Sequence, residues 1–127
     1  MLQTNVETGK YQSDMEKAVN FVLNRGFEDI KARHGDYEEP ATLRMMDQEG
    51  GFVPDITATK NGGKYYFEIA NRNEDARQVV GKWKLMSTLA RMKDGDFRIF
   101  VPYGSMKYTN EILEKKSIEA EVIKLPK

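Results

Sequence analysis

The chain has 127 residues, enough for one domain with a real core and too few for two independent ones. Charged residues make up 31% and cancel to a formal net charge of zero, so bulk charge does not announce a nucleic-acid partner. The absence of cysteine excludes disulfides and thiolate–metal sites.

In chain order, Met1 to Gly9 has neither a basic start nor an apolar run, so no signal peptide or spanning helix is expected and the cytoplasm is the default location. Residues 1–12 read as a flexible lead-in. Ser13 or Asp14 can cap a first helix, in which Met15, Ala18, Val19, Val22 and Leu23 recur at helical spacing as far as Arg25-Gly26. Phe27 to Ala32 reads as a short strand. From Arg33 to Gly51 the pattern is irregular and acidic, with Leu43, Met45 and Met46 supplying either a strand or a covering loop. His34, the only histidine, stands in a polar stretch and reads as a surface residue.

Two strands follow, Phe52 to Thr59 and Lys64 to Ala70, joined by Lys60-Asn61-Gly62-Gly63, a hairpin turn by composition. A second helix is predicted over Glu74–Met92, with Ala76, Val79, Val80, Trp83, Met86 and Ala90 on one stripe, and Asp94-Gly95 stops it. Trp83, Met15, Met86 and Met92 read as core filling. Phe97 to Val101 is the most strand-like run, Pro102-Tyr103-Gly104 breaks it, and a short helix from about Tyr108 to Lys116 leads into a last strand, Ala120–Leu125.

The hairpin carries the chemistry. Pairing its strands brings Asp55 of Pro54-Asp55 next to Glu68 at one edge of a sheet, where two carboxylates suit a hard cation such as Mg2+ or Mn2+. Side chains alternate along a strand, so Glu68 and Ala70 share a face. Bland readings exist for each residue: Pro-Asp is common turn chemistry, and a glutamate on the exposed face of a strand is ordinary. Charge is uneven along the chain. Residues 1–50 hold six Lys/Arg against ten Asp/Glu, and residues 51–127 hold fourteen against ten, a bias toward an anionic ligand in the part with the hairpin.

With Pro54-Asp55 on one strand and Glu68-Ile69-Ala70 on the next, followed by an amphipathic helix and another apolar strand, the chain resembles the PD-(D/E)xK nuclease superfamily, which includes type II restriction enzymes and archaeal Holliday-junction resolvases. The resemblance covers roughly Asp14 to Leu125. It implies an α/β, restriction-endonuclease-like fold: a three-layer αβββαβ core with a mixed sheet of four to five strands flanked by helices, forming a single domain over residues 1–127. It also implies a metal-dependent DNA endonuclease, with Asp55 and Glu68 as metal carboxylates, Glu16 of the first helix as a third, and a homodimer to address two strands. The family's lysine is replaced by Ala70. Lys82, on the neighbouring helix, is the candidate for that catalytic role, while Gln78, Lys82 and Arg72 are candidates for nucleic-acid contact. Two further classes stay open: a degenerate nuclease fold that binds nucleic acid or regulates without catalysis, and an unrelated interaction domain that shares only the hairpin.

Overall fold

Two residues at positive φ, Asn61 (51°) and Gly62 (85°), turn the chain between β2 (Ile56–Lys60) and β3 (Gly63–Ile69). Asn-Gly is the pair that a two-residue hairpin of matching twist demands. The register then runs from Lys60↔Gly63 to Ile56↔Phe67. In this computed structural model, which describes residues 4–44 and 50–126 (side chains of the first helix from Gly9 onward), the remaining elements are α1 (Thr4–Leu23), β1 (Glu28–Ala32), α2 (Ala76–Met92), β4 (Phe97–Val101), α3 (Met106–Lys116) and β5 (Glu121–Lys124).

The five strands lie in the order β1-β2-β3-β4-β5, antiparallel from β1 to β3 and parallel from β3 to β5. Each parallel pair needs a crossover, and α2 and α3 supply them. Alternation along β3 divides the core in two. Phe67 and Ile69 pack with Met15, Ala18 and Val22 of α1, while Tyr66 and Ala70 pack with Val79, Trp83, Met86 and Ala90 of α2 and Ile112 of α3. The protein is therefore an α/β fold of three layers, α1 on one face of a mixed sheet and α2 with α3 on the other. No helix among the described residues is long and apolar enough to cross a membrane.

Several boundaries differ from the sequence reading, each for a local reason. Helix α1 already runs from Thr4, where a flexible lead-in was expected, so Asp14 is an interior residue and not a cap. Strand β2 starts at Ile56, because the N–H of Asp55 donates to a side chain and is lost to the ladder. Helix α2 starts after Asp75, whose carboxylate accepts from the Arg77 N–H at 3.0 Å. Met92 ends that helix exposed to solvent and fills no core. Leu43 makes an isolated bridge with Phe52, while Met45 and Met46 lie outside the described residues.

Candidate functional site

Asp55 and Glu68 are 8% and 4% exposed, at one end of a cavity edge formed where β2 begins and β3 ends. Their strands interlock them. The Asp55 N–H donates to Glu68 Oε2 at 2.9 Å, and the Ile69 N–H donates to Asp55 Oδ2 at 2.9 Å. Tyr11 of α1 reaches across from the opposite layer and donates its hydroxyl to Asp55 Oδ1 at 2.5 Å. Lys82 comes from α2: its Nζ is 3.1 Å from Glu74 Oε2 and 3.9 Å from Glu68 Oε1, and it lies 5.7 Å from the centre of the Phe52 ring. The hairpin thus supplies the carboxylates, and each helical layer contributes one polar side chain to them.

These groups form the floor of a cavity of about 480 Å³. Its wall includes Lys10, Asp14 and Arg33 on the α1 side and Asn71, Arg72, Asn73 and Glu74 from the loop after β3, with Tyr103 and Ser105 from the loop after β4. The two loops are joined where Arg72 Nη1 donates to the Gly104 carbonyl at 3.3 Å. They leave the carboxyl ends of adjacent parallel strands, the edge at which open α/β sheets commonly bind ligands.

Electrostatics follow from the burial. Desolvation raises the Asp55 carboxyl above its ordinary 3.8, against the Ile69 and Tyr11 hydrogen bonds and the charges of Lys82 and Arg33. Glu68 is held well above its ordinary 4.5, first by burial and then by the charge of Asp55. Burial alone would lower Lys82, but Glu68 and Glu74 outweigh it and the ammonium is strengthened. The Tyr11 hydroxyl is pushed up, by burial and then by Asp55, so it stays protonated as a donor. Burial, and at Glu68 the neighbouring charge of Asp55, therefore makes each carboxyl hold its proton more tightly in the absence of a cation.

The donor chemistry suits a hard divalent cation. Glu68 Oε1 faces Lys82 beyond hydrogen-bond length, and protons held by the raised carboxyls are what a metal would displace. Among the described residues no group of three or more His, Cys, Asp or Glu is arranged to hold a metal. Two carboxylates remain, a number with which magnesium is commonly held beside water and substrate phosphates.

Of the residues singled out in the sequence, Asp55, Glu68, Lys82 and Arg72 line the same cavity. Glu16 does not. Two residues turn a helix by about 200°, so α1 presents Lys10, Tyr11 and Asp14 to the cavity and leaves Glu16 exposed. Glu16, expected as a third metal carboxylate, therefore lies outside the cavity lining, and Asp14, which binds Lys10 Nζ at 3.1 Å, is the acidic residue of α1 that lines it. Gln78 also lies outside the cavity lining: it is exposed in the first turn of α2, and the cavity wall there is supplied by residues 71–74. Sequence reasoning missed Tyr11 and Arg33. Tyr11 stands four residues before Met15 and continues the apolar stripe of α1 backward, which was the available signal.

No family model, no curated protein and no solved structure matches this chain.

Proposed function

We propose that the protein is a metal-dependent nuclease of the PD-(D/E)xK type, hydrolysing phosphodiester bonds in nucleic acid, with DNA as the expected substrate. The observation that carries the reading is the position of Lys82 Nζ, 3.9 Å from Glu68 Oε1, at a cavity floor that also holds Asp55. A nuclease site of this type needs two carboxylates and one cation, and Ala70 leaves the strand without the cation. Lys82 brings the missing charge in from the neighbouring helix.

Asp55 and Glu68 would hold Mg2+ or Mn2+, and such an ion supplies an activated water and neutralises charge on the phosphoryl oxygens. Tyr11 and the Ile69 N–H fix the orientation of Asp55. Glu68 is oriented by the Asp55 N–H. Lys82, kept protonated by its acidic neighbours, offers a fixed positive charge where negative charge would develop. Exposed Lys10, Arg33 and Arg72 at the cavity margin are suited to phosphate oxygens.

A second reading, a degenerate nuclease fold that binds without cutting, is favoured by one observation. Lys82 is already closer to Glu74 than to Glu68, and Asp55 accepts hydrogen bonds on both oxygens, so the cluster is internally satisfied. Cleavage of plasmid and branched DNA in Mg2+ or Mn2+ separates the two. The nuclease reading expects metal-dependent products from the wild type and none from Asp55→Ala. Retention of DNA in gels without any cleavage selects the second reading.

A further inference from the structure

The turn after β4 holds an aromatic ring at the mouth of the cavity. The Ser105 N–H donates to the Pro102 carbonyl at 3.0 Å, and Gly104 has φ 91°, which is the pattern of a type II turn with Tyr103 at its first corner. Pro102 is buried and anchors the turn, whereas Tyr103 is 74% exposed and yet lines the cavity. The Arg72 bond to Gly104 braces the turn from the neighbouring loop. A single exposed tyrosine is ordinary on a protein surface. This one stands on a braced turn, beside a guanidinium, over a floor that carries Asp55, Glu68 and Lys82.

We infer that Tyr103 is a stacking platform for an unpaired nucleobase adjoining the scissile phosphate, so that the substrate class is single-stranded nucleic acid or an unpaired end. The inference rests on the nuclease reading of the same site. A base inside a continuous duplex has both faces covered by its neighbours. Only an unpaired or terminal base offers a free face to a ring, and an aromatic at the mouth selects for strandedness while tolerating any sequence. Arg72, beside the same turn, is placed to meet the backbone of that nucleotide. A cavity of about 480 Å³ is of the size that encloses one small ligand, the scale of a nucleotide and not of stacked base pairs.

The test uses the Asp55→Asn full chain, so that binding is read without cleavage, and fluorescein-labelled probes: a deoxythymidine dodecamer, a uridine dodecamer and a closed hairpin duplex whose two ends are capped by base-free glycol linkers, so that it presents no unpaired base. Anisotropy is expected to show tighter binding of the dodecamers than of the hairpin. Tyr103→Ala should weaken the dodecamers by about 5- to 150-fold and leave the hairpin within about twofold, while Tyr103→Phe retains dodecamer binding. The two dodecamers distinguish DNA from RNA as the source of the base. A Tyr103→Trp variant should keep binding and show quenched indole fluorescence on addition of either dodecamer. An equal loss on all three probes with Tyr103→Ala, or no loss on any, overturns the inference. Separate assays of cleavage in Mg2+ keep the two proposals apart. Dodecamer cleavage indifferent to Tyr103→Ala overturns the platform and leaves the nuclease reading standing. Tyr103-dependent dodecamer binding without cleavage by the otherwise wild-type protein overturns the nuclease reading and supports the platform.

Discussion

The main-chain N–H of Asp55 donates to Glu68 Oε2 at 2.9 Å, so the carboxylate of β3 is held by the residue that supplies the other carboxylate of the pair. The bond from the Ile69 N–H back to Asp55 Oδ2 closes the link in the other direction. Each side chain is positioned by the opposite strand's backbone, and the geometry of the pair is therefore set by hairpin register as much as by rotamer choice.

Truncating one member should accordingly destabilise the fold. Glu68→Ala leaves the buried Asp55 N–H without its acceptor, a loss of about 1–3 kcal/mol. Glu68→Gln keeps an amide oxygen at that point and should cost less. Urea denaturation of the three proteins measures the difference, and equal midpoints for the two variants would contradict it.

The raised carboxyls make stability depend on pH with a definite sign. A carboxyl whose value is raised by folding binds its proton more tightly in the native state. Its contribution is complete below about pH 4 and is lost as pH rises through the raised native values of Glu68 and Asp55. Wild type should therefore lose stability relative to Glu68→Gln as pH is raised from 4 toward neutrality. Denaturation curves at a series of pH values provide the check; a constant difference between the two proteins would contradict the burial argument.

A cation that enters by displacing those protons should bind more tightly as pH rises. Calorimetry of Mn2+ binding in two buffers of different ionisation enthalpy should show proton release, and Asp55→Ala should remove the binding. Identical heats from wild type and Asp55→Ala would eliminate a metal site at this hairpin.

The hairpin was the legible part of this chain, because Asn61-Gly62 fixes a turn and period-two alternation then sets which residues share a face. Lys82 was legible for a related reason: it stands beside the Val79–Trp83–Met86 stripe, so a long side chain there overhangs the sheet. Glu16 and Gln78 lie outside the cavity lining, which the sequence did not reveal because helical spacing places residues on a cylinder without saying which sector meets the cavity. That sector depends on how α1 and α2 sit on the sheet, a tertiary property. Tyr11 was hidden for a different reason. The polar stretch before Ser13 carries no strong start signal, and the packing of Tyr11, Met15 and their neighbours against the sheet stabilises the helix that runs through it.

Lys82 gives the sharpest functional prediction. If its charge serves in the place of a strand lysine, Lys82→Met should lower cleavage by on the order of 10² to 10³. Ala70 lines the same cavity, on the face of β3 that also carries Glu68, so a lysine introduced there stands beside the floor, although the position is otherwise packed against the α2 core. The double variant Lys82→Met with Ala70→Lys should recover a substantial part of the lost rate. Initial rates on a common DNA substrate decide the matter, and cleavage unchanged by Lys82→Met would remove the lysine from the mechanism.

Tyr11 tests the contribution of the opposite layer. Tyr11→Phe deletes the hydroxyl on Asp55 Oδ1 and leaves the ring, which packs against the core beneath α1. That hydrogen bond lowers the Asp55 carboxyl, so its removal should raise Asp55 further, weaken Mn2+ at neutral pH and move the pH dependence of metal binding upward. Stability should fall by about 1–2 kcal/mol where Asp55 is ionised and by less where it is protonated. Titration of Mn2+ binding across pH for wild type and Tyr11→Phe reads both effects, because a purely structural tyrosine would change stability without displacing the metal-binding pH profile.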